Sequence, residues 1–226
     1  MDAADTSEAR RAELVSLYNA VCSCTACPLA ETRTQAVFGA GNADAELMFV
    51  GEAPGFHEDQ QGIPFVGAAG KLLERLLGEI GLSREDVFIG NVLKCRPPGN
   101  RDPQPGEIEA CQSHLFRQIE LIQPRIVATL GNFATKLLSG NPAGITRVHG
   151  AEQSVRLGNS EVVLYPIYHP AAALYTRAML GVLEEDFGRL PQLLGREPAP
   201  ASNQAVISSP VAQAAAADAE TQLDLF

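Results

Sequence analysis

The stretch ELMFVGEAPG, residues 46–55, decides the fold of this 226-residue chain. Its first half is an apolar run that predicts a buried β-strand, and its second half is a glycine-rich turn. Three similar runs follow: VFIG (87–90), RIVATL (125–130) and VVLYPIY (162–168). Patterns of helical period lie between or after them, at residues 68–80, 105–122, 132–138 and 174–194. Because strands and helices alternate, we predict an α/β domain with a mostly parallel sheet of four strands.

The pattern divides the chain into three segments. Residues 1–194 form the predicted globular domain, which begins with an amphipathic helix at residues 7–21. Residues 195–221 are rich in Ala, Pro, Ser and Gln and hold no aromatic residue, which predicts a disordered linker. QLDLF (222–226) ends the chain, and its three large apolar side chains would gain free energy in a groove of another protein.

Composition and charge restrict the possible partners. No apolar run reaches the roughly 18 residues of a membrane span, so we expect a cytoplasmic protein and, by default, a monomer. The formal net charge of −10 argues against nucleic acid, because nucleic-acid binders usually carry a basic surface. The charge is uneven, however, since KCRPPGNR (94–101) holds three cations and no acid. A local basic loop on an acidic body remains compatible with DNA binding.

The five cysteines indicate a metal site rather than a disulfide framework. Their number is odd, and thiols in a cytosolic chain are more often metal ligands or catalytic groups. Cys24 and Cys27 form a C-x2-C pair, and Cys95 and Cys111 lie far downstream. Four such thiolates suit a tetrahedral zinc site or a four-iron cluster, and spacing does not distinguish the two. Cys22 is the spare thiol and is interpreted as a small buried hydrophobe.

Polar residues follow three of the four predicted strands. Glu52 follows the first strand, Asn91 the second and His169 the fourth. Ligands of open α/β sheets bind beyond the carboxyl ends of the strands, so we predict one crevice that these three residues share. Each alone has an ordinary structural explanation, as a turn cap, an Asx turn or a helix start. Phe65, in a loop, is either a core aromatic or a platform on which a flat ligand stacks.

These blocks together resemble the family 4 (type-4) uracil-DNA glycosylases, the iron-sulfur members of the uracil-DNA glycosylase superfamily. The resemblance spans about residues 12–194 and rests on the cysteine spacing and four motifs: GEAPG (51–55), GIPFVGAAGKLL (62–73), NVLKCRPPGNRDP (91–103) and HPAAAL (169–174). It implies a three-layer α/β/α fold and a monofunctional hydrolase that releases uracil from deoxyuridine in DNA, leaves an abasic site and so initiates base excision repair. A branch that links covalently to DNA carries a longer, His-bearing insert after the second strand, which this chain lacks.

The resemblance also implies roles for single residues. Uracil would contact Gly51, Glu52, Ala53, Phe65, Asn91 and His169. The amide of Asn91 can donate to uracil O4 and accept from N3–H, a pattern that cytosine reverses. His169 would donate to uracil O2 as negative charge gathers there, and Glu52 would orient water or stabilise the cationic sugar. The best-known branch of the superfamily holds that water with an Asp, and the matching position here is Ala53.

The remaining implications concern cofactor and partners. The resemblance favours a [4Fe-4S] cluster on Cys24, Cys27, Cys95 and Cys111, and it makes Lys94, Arg96 and Arg101 candidates for phosphate contacts. QLDLF resembles the pentapeptide by which bacterial polymerases and repair proteins dock on the sliding clamp, which predicts a partner-binding segment at Gln222, Leu223, Asp224, Leu225 and Phe226. The alternative function is a non-catalytic iron-sulfur DNA-binding or redox-sensing protein on the same fold. Such a protein would have no need of Glu52, Asn91 and His169 together.

Overall fold

The computed structural model of the chain describes residues 3–196 and 206–207. Its strands form one sheet in the order β1-β3-β2-β4-β6-β5-β7. They are β1 (Ala40–Gly41), β2 (Leu47–Gly51), β3 (Phe88–Asn91), β4 (Ile126–Leu130), β5 (Gln153–Leu157), β6 (Ser160–Ile167) and β7 (Val206–Ile207). The four runs that the sequence identifies are β2, β3, β4 and β6, which lie side by side and parallel.

Helices cover both faces of this sheet. They are α1 (Ala3–Cys22), α2 (Leu29–Thr32), α3 (Phe56–Gln61), α4 (Ala68–Glu79), α5 (Pro105–Ile122), α6 (Asn132–Ser139), α7 (Ile145–Val148), α8 (Ala171–Tyr175), α9 (Ala178–Gly188) and α10 (Leu190–Leu194), with a 3-10 turn at Pro98–Asn100. Side chains of β2 alternate between two cores, because successive residues of a strand point to opposite faces. Met48 and Val50 pack with α5 and α6, whereas Leu47 and Phe49 pack with α4 and α9. The three-layer α/β/α fold is therefore confirmed.

The number of strands was predicted wrongly, since three strands join the four at the edges of the sheet. β1 pairs antiparallel with β3, β5 pairs antiparallel with β6, and β7 lies beside β5. β1 and β7 have two residues each, too few to produce a pattern. β5 alternates exposed and buried positions instead of forming an apolar run. Its signal was the Gly158–Asn159 pair, the two-residue turn between β5 and β6, where Gly158 has φ 59°.

The predicted linker and tail lie mostly outside the described residues. Only residues 195–196 and β7 fall within the predicted linker, and QLDLF is entirely outside, so both remain predictions. No helix in the described part of the chain is long and apolar enough to cross a membrane. The cytoplasmic location stays a prediction as well.

Candidate active site and cysteine cavity

The ends of β2 and β3 place two of the predicted site residues next to each other. Gly51 is in register with Asn91, the last residue of β3. The two chains stay paired beyond the sheet, because Val92 N–H donates to Gly51 O at 2.9 Å and Leu93 N–H donates to Glu52 O at 3.0 Å. β3 lies on one side of β2, and β4 lies on the other side. The strand order therefore reverses at β2, and its carboxyl end is a topological switch point where a crevice opens.

Asn91 is a buried residue whose side-chain amide makes no hydrogen bond within the described part of the chain. The residue is only 2% exposed, and its amide atoms keep slight contact with solvent. A Cβ atom at Gly51 would lie 2.5 Å from Asn91 Oδ1 and 2.8 Å from Phe65 Cζ, so only glycine leaves room between them. Buried polar groups are normally hydrogen-bonded, and an unpartnered amide in a crevice is ready to bind a ligand.

The loop that carries Phe65 is held from both sides in a strained conformation. Phe65 has φ 54°, in the left-handed region that non-glycine residues rarely adopt. One oxygen of Glu58 accepts from Val66 N–H and Gly67 N–H, both at 2.9 Å. Arg84 donates to Phe65 O at 2.9 Å and to Pro64 O at 2.6 Å. The strain and the two clamps fix the ring against the crevice, as at many functional sites.

His169 stacks on Phe65 and is held in one tautomer. The ring centroids are 5.5 Å apart with an angle of 27° between the planes. Ala171 N–H donates to His169 Nδ1 at 3.1 Å, so the proton of a neutral ring lies on Nε2. Burial lowers the pKa of His169 from 6.5 to about 4, although the Glu58 carboxylate opposes the shift. At neutral pH the ring is therefore an uncharged donor through Nε2–H.

Glu52 lies half-buried where the β2 strand ends, with Ala53 packed beside it against the core. Burial raises the pKa of its carboxyl, and the nearby charge of Asp102 raises it further. The carboxylate accepts no hydrogen bond from any described residue. A carboxylate with a raised pKa and free oxygens can accept a proton from a bound water.

The basic loop differs from the sequence prediction at two of its three cations. Lys94 is only 1% exposed, and burial lowers its pKa to about 8, so this residue cannot reach a phosphate and its assignment as a DNA contact is corrected. Arg101 forms a two-bond ion pair with buried Glu107, at 2.9 and 2.6 Å, which commits its guanidinium to the start of α5. Arg96 is half-buried: its Nε–H donates to Asn100 Oδ1 at 2.6 Å, and its guanidinium lies 5.1 Å from the ring centre of exposed Phe56.

The four predicted ligand cysteines line one cavity between α1, the α2 segment and α5. The cavity is small and partly open to solvent. Cys95 and Cys111 are buried, and burial raises the pKa of the Cys111 thiol to about 11. Cys22 is exposed and lies outside this group, so its interpretation as a buried hydrophobe was wrong.

Arg33 joins the two halves of this cavity and was missed from the sequence. It donates to Cys22 O at 2.9 Å and Cys24 O at 2.8 Å, and it lies 3.2 Å from Cys95 Sγ. Arg33 follows the C-x2-C pair and belongs to no periodic apolar pattern. Its partners lie on segments that only the fold brings together, so the sequence did not point to it. The same reason explains why Glu58 and Arg84 were missed.

Two apolar side chains project from the rim beside His169. Leu174 is half-exposed, and Tyr175 is 89% exposed at the end of α8. This pair forms an apolar edge at the end of α8. The sequence signal for this pair was the apolar end of the HPAAAL motif, which continues into Tyr175.

Comparison with known proteins gives a consistent family. Residues 38–187 match the family model described as the uracil DNA glycosylase superfamily. The type-4 uracil-DNA glycosylase of Sulfurisphaera tokodaii is 49% identical over 80% of this chain and 84% of its own length. The type-4 enzyme of Archaeoglobus fulgidus is 46% identical over 81% and 94% of the two chains. The type-4 enzyme of Thermotoga maritima is 43% identical over 83% and 98%.

Proposed function

The chain belongs to the uracil-DNA glycosylase superfamily, and we propose that its crevice hydrolyses the N-glycosidic bond of deoxyuridine in DNA, as a type-4 uracil-DNA glycosylase. The products are free uracil and an abasic site, so the enzyme initiates base excision repair. The observation that carries the proposal is the side-chain amide of buried Asn91, which makes no hydrogen bond within the described residues and lies beside Gly51 and Phe65. No lyase step is proposed, because no lysine among the described residues faces the crevice.

Base recognition rests on the hydrogen-bonding pattern of Asn91. Its amide donates to uracil O4 and accepts from uracil N3–H, whereas cytosine offers a donor in place of O4 and an acceptor in place of N3–H. A site built to hydrogen-bond one pattern discriminates strongly, because the wrong base leaves buried groups unpaired. Phe65 stacks on the base, which contributes roughly 1–3 kcal/mol. Gly51, which lies beside Asn91 and Phe65, and the following Glu52 and Ala53 are proposed to contact the base as well.

Bond cleavage is assigned to His169 and Glu52. As the C1′–N1 bond breaks, its electron pair leaves with uracil, and negative charge gathers on O2. Neutral His169 donates from Nε2–H to that oxygen, and the stacking on Phe65 and the Ala171 hydrogen bond already hold its ring. Water then adds to C1′ of the cationic sugar, Glu52 accepts the water proton, and this proton is returned to the uracil anion so that neutral uracil leaves. An uncharged donor suits this step because its proton stays on the enzyme.

DNA contact is assigned to the rim. The target nucleotide must leave the base stack before it reaches the crevice, which costs a few kcal/mol. Tyr175 and Leu174 are placed to fill the gap, in the way that apolar wedges separate base steps. Arg96 is proposed as a phosphate contact, since its guanidinium lies at the surface of the loop that follows Asn91. With Lys94 buried and Arg101 paired, few phosphates are neutralised, which predicts a shallow salt dependence.

A [4Fe-4S] cluster is the proposed cofactor, held by Cys24, Cys27, Cys95 and Cys111. In the described part of the chain these four thiols line one cavity. Four thiolates gathered there would suit a four-iron cluster or a zinc ion, and the resemblance to the type-4 enzymes favours the cluster. When bound, the cluster supplies a negatively charged cross-link between the helix α1 region and the loop after Asn91.

A sliding clamp is the proposed protein partner, through QLDLF at residues 222–226. Support for it comes from the sequence motif alone. Residues 206–207 pair with β5, so residues 208–221 would be the tether that lets the catalytic domain search nearby DNA while the peptide stays docked.

The deciding experiment uses an oligonucleotide with one uracil. Incubation with the protein followed by alkali should cleave the strand at the uracil position, whereas the same strand with cytosine or thymine should stay intact. A protein that binds the uracil strand without producing alkali-labile sites would instead support the non-catalytic alternative.

A further inference from the structure

Lys94 is a buried cation with only uncharged partners. Its ammonium donates to the backbone oxygen of Asn91 at 2.8 Å and to Gln118 Oε1 at 2.6 Å. Gln118 in turn donates to Phe38 O at 2.8 Å, so this polar chain crosses the core beneath the crevice. No carboxylate pairs with Lys94 in the described part of the chain. A buried charge without a counter-charge is strongly unfavourable, so a negative group is expected nearby.

The cysteine cavity is the place where such a group would lie. Lys94 lines the cavity together with the four cysteines, and its backbone N–H donates to Cys111 Sγ at 3.3 Å. Besides the cysteines, Arg33 and His114 are the other titratable side chains that line this cavity. A four-thiolate iron-sulfur cluster carries net negative charge, which would compensate the ammonium. Lys94 therefore lies between the cofactor site and the backbone of the residue that reads the base.

We propose that Lys94 is a positioning residue that couples the cluster to uracil recognition. Its charge is balanced by the cluster, and its hydrogen bond to Asn91 O fixes the end of β3 where the Asn91 amide faces the base. The inference rests on the proposed function of the crevice and adds a role for the cluster beyond holding the loop. Groups that orient the residues in direct contact with a ligand commonly change affinity or activity by about 10–100-fold when they are mutated.

Arg33 provides the matched comparison. It is a second cation beside the cysteines, but its contacts are Cys22 O, Cys24 O and Cys95 Sγ, with none to Asn91. Lys94→Met and Arg33→Gln each remove one positive charge from the cluster surroundings. Both should lower the reduction potential of the cluster, because a nearby cation favours the more negative, reduced state. Only Lys94→Met should also disturb the uracil site.

The experiment compares these variants in the full-length, cluster-loaded protein, with Lys136→Met as the control at an exposed lysine of α6. Iron and sulfide content establish the loading, and protein-film voltammetry gives the potential. Single-turnover excision at saturating enzyme separates the chemical step from binding. We expect Lys94→Met to slow excision at least about tenfold, and Arg33→Gln to slow it less than about threefold.

Two further variants separate the coupling from general damage. In an Asn91→Ala background, Lys94→Met should slow excision little further, because the effects of residues that act through one another are not additive. Lys94→Gln keeps a hydrogen-bond donor without the charge. It should therefore recover part of the excision rate that Lys94→Met loses, but none of the decrease in reduction potential. If Lys94→Met does not incorporate the cluster, Lys94→Gln replaces it in the comparison.

The outcomes are distinct from those of the proposed function. Wild-type protein that leaves uracil intact refutes the function itself. Wild-type protein that excises uracil, beside a loaded Lys94→Met with normal rate and potential, refutes the coupling alone. Equal losses from Lys94→Met in the wild-type and Asn91→Ala backgrounds also overturn it.

Discussion

His169 should stay neutral through the whole working range of pH, and this can be tested through stability. Burial lowers its pKa from 6.5 to about 4 on folding. The unfolded chain therefore binds the proton first as pH falls, and stability is lost between the two values. When the pH falls from 8 to 5.5, the free energy of unfolding should decrease by about 1.4 kcal/mol. The full decrease, reached well below pH 4, should be about 3.4 kcal/mol.

The perturbation that isolates this ring is His169→Gln, which cannot titrate. Wild type should lose about 1.4 kcal/mol more stability than His169→Gln when the pH changes from 8 to 5.5. Thermal unfolding monitored by circular dichroism at both pH values gives the double difference. The control is His57→Gln, because the His57 side chain is exposed in the folded protein.

The same ring can be observed directly by NMR. The chain has four histidines, so single substitutions assign their imidazole resonances. The His169 resonance should keep its neutral position down to about pH 5, as its pKa of about 4 requires. A midpoint near 6.5, with no double difference in stability, would mean that a charged imidazole faces the substrate and would refute the neutral-donor mechanism.

The other predictions concern the base pocket, the rim and the tail. His169→Ala should lower the single-turnover rate by about 10²–10³, since it removes one transition-state donor, and an unchanged rate would remove His169 from the mechanism. Asn91→Asp should lose its preference for uracil over cytosine in competition assays, and an unchanged preference would make this amide structural. Tyr175→Ala should slow excision from duplex more than from single-stranded DNA, because only a duplex needs a wedge; equal losses on both contradict this. Deletion of residues 222–226 should abolish binding to the sliding clamp in surface plasmon resonance and leave excision from short oligonucleotides intact, and retained binding would place the clamp contact elsewhere.

The net charge of −10 has a different meaning once the fold is known. It first argued against DNA, but the proposed DNA contacts lie on one edge of the sheet, where Arg96 and the apolar rim project. Such a surface holds DNA by shape and by a flipped base more than by charge. Weak electrostatic attraction is also consistent with a tethered enzyme that is kept near DNA by a clamp.

Local pattern was enough to identify the parallel core and the residues at its carboxyl edge. Asn91 and His169 follow apolar runs, and parallel strands bring their carboxyl ends to one edge, so their convergence was predictable from sequence. β5 was missed because its burial alternates, and β1 was missed because two residues make no pattern. Arg33 and Glu58 act on backbone groups of distant segments, which no local pattern specifies.

The sequence by itself determined the layers of the fold, the edge where the site lies and the types of residue available there. It could do so because periodicity and strand order follow from local sterics and from burial of apolar side chains. Only the tertiary structure decided how each cation is used, since exposure depends on what packs around a side chain. Lys94, Arg96 and Arg101 are similar in sequence, yet the first is buried under the crevice, the second is half-buried against Phe56 and Asn100, and the third is exposed and paired with Glu107.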